Sequence, residues 1–129
     1  MEWKEEYATG IDEIDRQHKT LFDNTADFRE VVTEGFGENS YQGFLEFIMA
    51  YAEAHFSFEE ECMLASQCPA TACNKAEHRL FLEYFRKEEE AYRQHGYNPR
   101  RTLELLDFIE NWLDSHICRI DSQLRETTN

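Results

Sequence analysis

The sequence predicts an all-α protein, an up-down-up-down antiparallel four-helix bundle with an N-terminal arm. Glycine and proline are scarce, at five and two of 129 residues, which leaves little material for the turns of a β protein. Apolar residues recur at alternating spacings of three and four in four separate segments. Short breaks join these segments, so consecutive helices are expected to run antiparallel.

The first two helices are predicted from such stripes. Helix one runs from about Ile11 to Glu34, until the two glycines of EGFGENS end its pattern. Its stripe is Ile11, Ile14, His18, Leu21, Thr25, Phe28 and Val32. Helix two is expected to open at Asn39 or Ser40, either of which can cap a helix, and to stop before Pro69. Its stripe is Phe44, Ile48, Tyr51, His55, Phe58 and Cys62.

The third and fourth helices follow the same pattern. Helix three is predicted from about Thr71 to Gln94, with Gly96 after its end. One face of it carries His78, Leu82, Phe85 and Tyr92. Asn98 is expected to cap helix four, with Pro99 as its first residue. The stripe of this last helix is Leu106, Ile109, Leu113, His116 and Ile120.

Composition and charge limit the function. The length suits a single domain over residues 1–129. A formal net charge of −14 disfavours nucleic acid and anionic membrane surfaces as partners. The longest apolar stretch, FLEFIMAYA, is short and contains Glu46, so no membrane insertion is expected. The opening MEWKEEYATG does not resemble a secretory leader, which predicts a cytoplasmic location.

The four cysteines are predicted to be free thiols, as is usual inside cells. They are Cys62, Cys68, Cys73 and Cys118. A zinc site built from the first three and His78 is disfavoured, because the chain has no Cys-x-x-Cys pair.

Four of the five histidines lie on the apolar stripes, one in each predicted helix. They are His18, His55, His78 and His116, whereas His95 is expected to be an ordinary exposed residue. A buried imidazole needs a partner for each ring nitrogen, and clustered neutral imidazoles suit a transition metal. The sequence therefore predicts a metal site inside the bundle.

Two carboxylates accompany these histidines. Glu59 lies four residues after His55, one turn further along the same face. Asp121 lies five residues after His116, a separation that turns a regular helix about 140° past a full turn. The pair can share a site only if the helix is locally wider there, as in a π turn. No Glu-x-x-His pair of the ferritin-like di-iron oxidases occurs, so this nitrogen-rich donor set favours dioxygen binding over oxidase chemistry.

Three motifs in the first, second and fourth helices resemble those of hemerythrins, especially bacterial hemerythrin-like domains. They are GIDEIDRQHKTLF, HFSFEEECM and WLDSHICRID, and the resemblance covers nearly the whole chain. It implies a centre of two iron ions with an oxo or hydroxo bridge. One iron would be held by His18 and His55 and the other by His78 and His116, with Glu59 and Asp121 bridging them. It also implies an N-terminal arm that packs across the bundle through Trp3 and Tyr7.

The chain departs from this family at one ligand. The third helix of hemerythrins carries His-x-x-x-His, and counting forward from His78 places the second histidine at Leu82. The iron held by His78 would then have an open or water-filled position. Cys62 is the alternative ligand for it, although packing in the core is the favoured role of a buried thiol.

The resemblance implies a binding domain rather than an enzyme. The missing histidine favours a module that senses oxygen or redox state, with dioxygen or small anions at the di-iron site and a signalling output in a fused domain. The main alternative is a freestanding oxygen carrier or store. Oxygen scavenging by iron oxidation and a metal-free structural bundle are further alternatives.

Overall fold

A computed structural model describes residues 3–121 and 123. The remaining residues of the domain expected over 1–129 lie outside the described part. The main helices are α1 (Asp12–Thr33), α2 (Gly37–Ala65), α3 (Thr71–His95) and α4 (Pro99–His116). No strand occurs among the described residues.

The four helices form a closed ring of neighbours. Helix α1 packs against α2 and α4, and α3 packs against the same two helices. The connecting segments, residues 34–36, 66–70 and 96–98, are too short to cross the length of a helix. Consecutive helices are therefore antiparallel, and the predicted up-down-up-down bundle is confirmed.

Two helix starts show how the chain enters its helices. Helix α4 begins as predicted, because the Asn98 side chain accepts a hydrogen bond from Arg101 N at 3.1 Å and Pro99 follows it. Helix α2 instead begins at Gly37, so the predicted cap at Asn39 or Ser40 is wrong. A Cβ atom at residue 37 would collide with the Tyr97 side chain, so glycine lets the α3–α4 connection pack directly on this start.

The N-terminal arm packs on the bundle, as the resemblance implied. A short 3₁₀ turn, Glu5–Tyr7, places the Tyr7 ring in the core, stacked on Phe22 with 5.3 Å between ring centroids. The buried Tyr7 hydroxyl donates a hydrogen bond to Asp114 Oδ1 at 2.6 Å. The arm therefore joins α1 to α4 through a single aromatic side chain.

Two apolar clusters fill the interior. The larger one extends along most of the bundle, and a smaller one lies at the end where α2 meets α3. The smaller cluster consists of Ile14, Met63, Cys68, Ala70 and Ile120. Along α1, α2 and α4, the predicted histidines lie between residues of the larger cluster and residues of the smaller one.

Two expectations about the whole chain concern thiols and membranes. All four cysteines are free, as predicted. Within the described residues, no helix combines the length and apolarity needed to span a lipid bilayer.

Candidate metal centre

The four stripe histidines meet in the middle of the bundle. Each helix contributes one of them, and every ring is at most 2% exposed. Glu59 and Asp121 lie among these rings and are fully buried. Burial of this many polar groups is costly unless they satisfy one another or share a cation.

The Glu59 carboxylate divides the histidines into two pairs. Its Oε2 lies 3.2 Å from His18 Nε2 and 3.3 Å from His55 Nε2. Its Oε1 lies 3.0 Å from His78 Nε2 and 3.7 Å from His116 Nε2. Each carboxylate oxygen therefore faces one pair of imidazole nitrogens.

Asp121 also directs one oxygen to each of the two histidine pairs, although each oxygen lies near a single histidine. Its Oδ2 lies 3.2 Å from His18 Nε2 and its Oδ1 lies 3.0 Å from His116 Nε2. The backbone after α4 widens into a π turn over Ile117–Asp121, which is why a residue five positions after His116 returns to the same site. The predicted wide turn is confirmed.

Three of the imidazoles are oriented by a second contact on their outer nitrogen. His55 Nδ1 lies 2.6 Å from Gln17 Oε1, and the Nδ1 atoms of His78 and His116 lie 2.8 Å from Glu60 Oε2 and Glu77 Oε1. These oxygens can only accept, so each Nδ1–H donates, and a ring without a proton on Nε2 presents the lone pair of that atom inward. This second contact is characteristic of metal-binding histidines.

Electrostatics make the site attractive to cations. Burial lowers the pKa of the His18 imidazole, but Asp121 and Glu59 outweigh it and raise that pKa to about 9. The same balance raises the pKa of His116 to about 10, whereas burial dominates at His55 and lowers its pKa. Burial would raise the Glu59 pKa, yet the surrounding histidines hold it well below its usual range. Protons and metal ions therefore compete for the same inward-facing atoms.

The donor set fits two adjacent metal ions. Among the described residues there are two buried groups of donors, and within each group the ligand atoms lie no more than 4.8 Å from one another. One group is Glu59, His78, His116 and Asp121, and the other is His18, His55 and Glu59. Octahedral ligands at about 2.1 Å from an ion are about 3.0 Å apart, close to most of the separations above. Asp121 Oδ2 is buried without a well-aligned hydrogen bond from the described residues, although His18 Nε2 lies 3.2 Å away, so a lone pair remains for a cation.

The structure adds Asn74, which the sequence reasoning missed. Its side chain is fully buried among the same donors, with Oδ1 2.7 Å from His116 Nε2. The buried face of α3 consists of Asn74, His78, Phe81, Phe85 and Glu88. Its spacing of four, three, four and three residues was a signal in the sequence, since it extends back from His78 to residue 74.

The placement of Asn74 bears on the earlier expectation that Leu82 occupies the position of the missing histidine. Leu82 is half-buried, packs against the larger apolar cluster and lines a cleft that it shares with His78, but it is not one of the clustered donors. The structure therefore brings Asn74, four residues before His78, to the donor cluster and leaves Leu82 outside it. The error arose because the spacing rule allows residue 74 or 82, and only packing selects between them.

Cys62 is not one of the clustered donors. It is half-buried and packs against the smaller apolar cluster. Burial raises the pKa of its thiol, with Glu59 and Glu61 adding to the shift, which favours the protonated form. Cys62 therefore lies at the edge of the core rather than inside it.

Comparisons with known proteins agree with the three motifs. The family model for the hemerythrin HHE cation binding domain matches residues 9–126. A bacteriohemerythrin of Clostridium acetobutylicum is 32% identical over 127 residues, which cover 94% of this chain and 95% of the relative. A bacteriohemerythrin of Stenotrophomonas maltophilia is 28% identical over 89% of this chain and 72% of its own length. A hemerythrin of Siphonosoma cumanense is 32% identical over 62% of this chain and 64% of its own length. No solved structure gave a significant match.

Proposed function

The chain belongs to the hemerythrin family, and from that premise we propose that it is a di-iron domain that senses oxygen or redox state. Hemerythrins bind dioxygen at a centre of two irons, and the clustered histidines and carboxylates of this chain fit such a centre. Iron supplies the oxygen chemistry, because ferrous ions can bind dioxygen or reduce it. The protein supplies the ligands, the charge and the enclosure.

The proposed ligands follow the two halves of the cluster. His18 and His55 would hold one iron, His78 and His116 would hold the other, and Glu59 and Asp121 would each contribute oxygen to both. The observation that carries this assignment is that each carboxylate directs one oxygen to each half of the site. Two carboxylates also offset part of the charge of two divalent ions, which neutral imidazoles cannot do.

The surrounding side chains prepare this donor set for small ligands. Gln17, Glu60 and Glu77 hold three imidazoles in the tautomer that presents Nε2 inward. The apolar clusters on either side restrict water, which strengthens the attraction between the carboxylates and cations. A buried centre of this kind admits dioxygen or small anions and excludes large substrates. The domain is therefore proposed to be a binding module, with any catalytic output outside residues 1–129.

Sensing is proposed because one imidazole is absent from the donor set. The resemblance implies five histidines, whereas four reach this cluster, and the fifth position holds Asn74. An iron with one neutral nitrogen donor fewer should give up an electron to oxygen more readily than it holds oxygen reversibly. That behaviour suits a sensor whose state records exposure to an oxidant.

A freestanding oxygen carrier is the second candidate. It is favoured by the match over 95% of the bacteriohemerythrin of C. acetobutylicum, which shows that a relative of nearly this length exists. The two functions differ in whether oxygen can be removed again without chemical change.

Reversibility of the oxygen reaction separates the two candidates. The ferrous protein, prepared without oxygen, would be exposed to air and then returned to argon while its visible spectrum is followed. The sensor predicts an oxidised spectrum that returns to the starting state only after a reductant is added. Full return under argon alone, through repeated cycles, would instead establish the carrier.

A further inference from the structure

We propose that the side-chain oxygen of Asn74 is a metal ligand, completing the half of the site formed by His78 and His116. This inference rests on the proposed di-iron function and adds a fifth protein donor to one of its two metals. Imidazole nitrogen is thereby replaced by amide oxygen at a position in the first turn of α3.

The inward-facing atom of the Asn74 amide is surrounded by four donor atoms. It lies 2.7 Å from His116 Nε2 and 2.9 Å from His78 Nε2. It also lies 3.0 Å from Glu59 Oε1 and 3.3 Å from Asp121 Oδ1. Neighbouring ligands of one octahedral ion have separations of about 3.0 Å, so these five atoms are spaced like members of one coordination sphere.

A cation would satisfy the whole of this buried group at once. With oxygen inward, the amide can accept a hydrogen bond only where an imidazole carries a proton on Nε2, and otherwise it adds a lone pair to a set of carboxylate oxygens and inward-facing imidazole nitrogens. With nitrogen inward, its two N–H groups can serve at most two of the four neighbours. A metal ion at the centre accepts electron density from all five.

The position of Asn74 in the helix supports a specific role. An asparagine near the start of a helix commonly hydrogen-bonds the backbone of that turn. Here the side chain is fully buried and turned toward the donor cluster instead. The Asn74 backbone N–H donates to Ala70 O at 2.8 Å, so the helix is intact and fixes the direction of the amide.

Ligation by Asn74 makes the two halves of the centre chemically different. The half with His18 and His55 has two imidazole nitrogens and one oxygen from each bridging carboxylate. The half with His78 and His116 has the same set plus an amide oxygen, in place of a third nitrogen. Oxygen donors favour harder ions such as Mn²⁺, whereas imidazole favours Zn²⁺ and Ni²⁺, so the second half should discriminate less against Mn²⁺.

Metal titration of position 74 variants tests the proposal. Metal-free native protein, Asn74→Leu and Asn74→Asp would be titrated with Fe²⁺ without oxygen, and the affinity for each of two ions measured. Asn74→Leu removes the donor at similar size. We expect it to lower the affinity for the second ion, the one beside His78 and His116, by roughly tenfold or more and to leave the affinity for the first ion unchanged. Asn74→Asp retains an oxygen donor, so we expect it to bind the second ion at least as tightly as the native protein.

Leu82→Asn is the matched control, because it introduces an amide one turn beyond His78 on the same helix. It should leave both affinities unchanged within about twofold. Far-ultraviolet circular dichroism of each metal-free variant checks that the bundle is folded, and a structure of iron-loaded native protein gives a direct readout. That structure should place Asn74 Oδ1 within about 2.3 Å of an iron.

The outcomes separate this proposal from the one on which it rests. If the native protein bound fewer than two ions, the proposed di-iron function itself would be contradicted. Two ions in the native protein, with equal second-ion affinity in Asn74→Leu, would overturn only the role of Asn74. Loss of the second ion in both Asn74→Leu and Asn74→Asp would also overturn it, because it would indicate that the amide acts as a hydrogen-bond donor.

Discussion

Glu59 is the residue on which the centre depends most, since each of its oxygens faces a different pair of histidines. We predict that Glu59→Ala lowers the iron content more than replacement of His18 by alanine does. The reason is that a bridging carboxylate compensates both cations, whereas one imidazole contributes to a single ion and carries no charge. Iron per chain, measured by elemental analysis after anaerobic loading, provides the comparison.

Two further variants make the Glu59 result specific. Glu61→Ala is the matched control, because Glu61 is exposed on the same helix and should keep the native iron content. Glu59→Gln keeps the size of the side chain while removing its charge, which separates charge compensation from packing. Native iron content and spectrum in Glu59→Ala would show that Glu59 is not a bridge.

Single residues also show what the sequence could predict about the site. The four histidines could be assigned because each lies on an apolar stripe, and burial of imidazole in such a stripe is unusual without a partner. Asn74 shares the helical spacing of His78, but that spacing fits residue 82 equally well, and asparagine is not itself a signal for a buried site. Its role depends on packing, in which α3 turns residue 74 inward and leaves Leu82 at the edge.

Helix boundaries were predicted where local chemistry decides them. Asn98 and Pro99 form a cap and first residue whose signal lies within a few positions, and the structure contains it. The start of α2 was misplaced because the packing of Tyr97 against Gly37 depends on a segment 60 residues away. The wide turn before Asp121 was predictable only because a carboxylate five residues after His116 had to return to the same site.

The N-cap of α4 leads to a prediction about the stability of the protein. We expect Asn98→Ala to lower the free energy of unfolding by about 1 kcal/mol, because the Arg101 N–H loses its acceptor. Ser40→Ala should change it by less than about 0.5 kcal/mol, since residue 40 lies inside α2 rather than at its cap. Urea unfolding of the metal-free proteins measures both. An equal loss in the two variants would contradict the assigned boundaries.

At the scale of the whole molecule, the bundle surrounds its donor atoms from four directions. Each helix delivers one histidine, and the two buried carboxylates come from α2 and from the turn after α4. The fold class could be predicted because its signals are repeated in every segment. The partner of the domain could not be predicted, because a net charge of −14 disfavours some classes of partner without selecting one.

Locating the metals tests the central claim most directly. Crystals of anaerobically iron-loaded protein would be measured on both sides of the iron absorption edge, and the anomalous difference map calculated. We predict two iron peaks inside the bundle, one beside His18 and His55 and one beside His78 and His116, with Glu59 and Asp121 each touching both. A single peak, or two peaks without a shared carboxylate, would contradict the di-iron assignment.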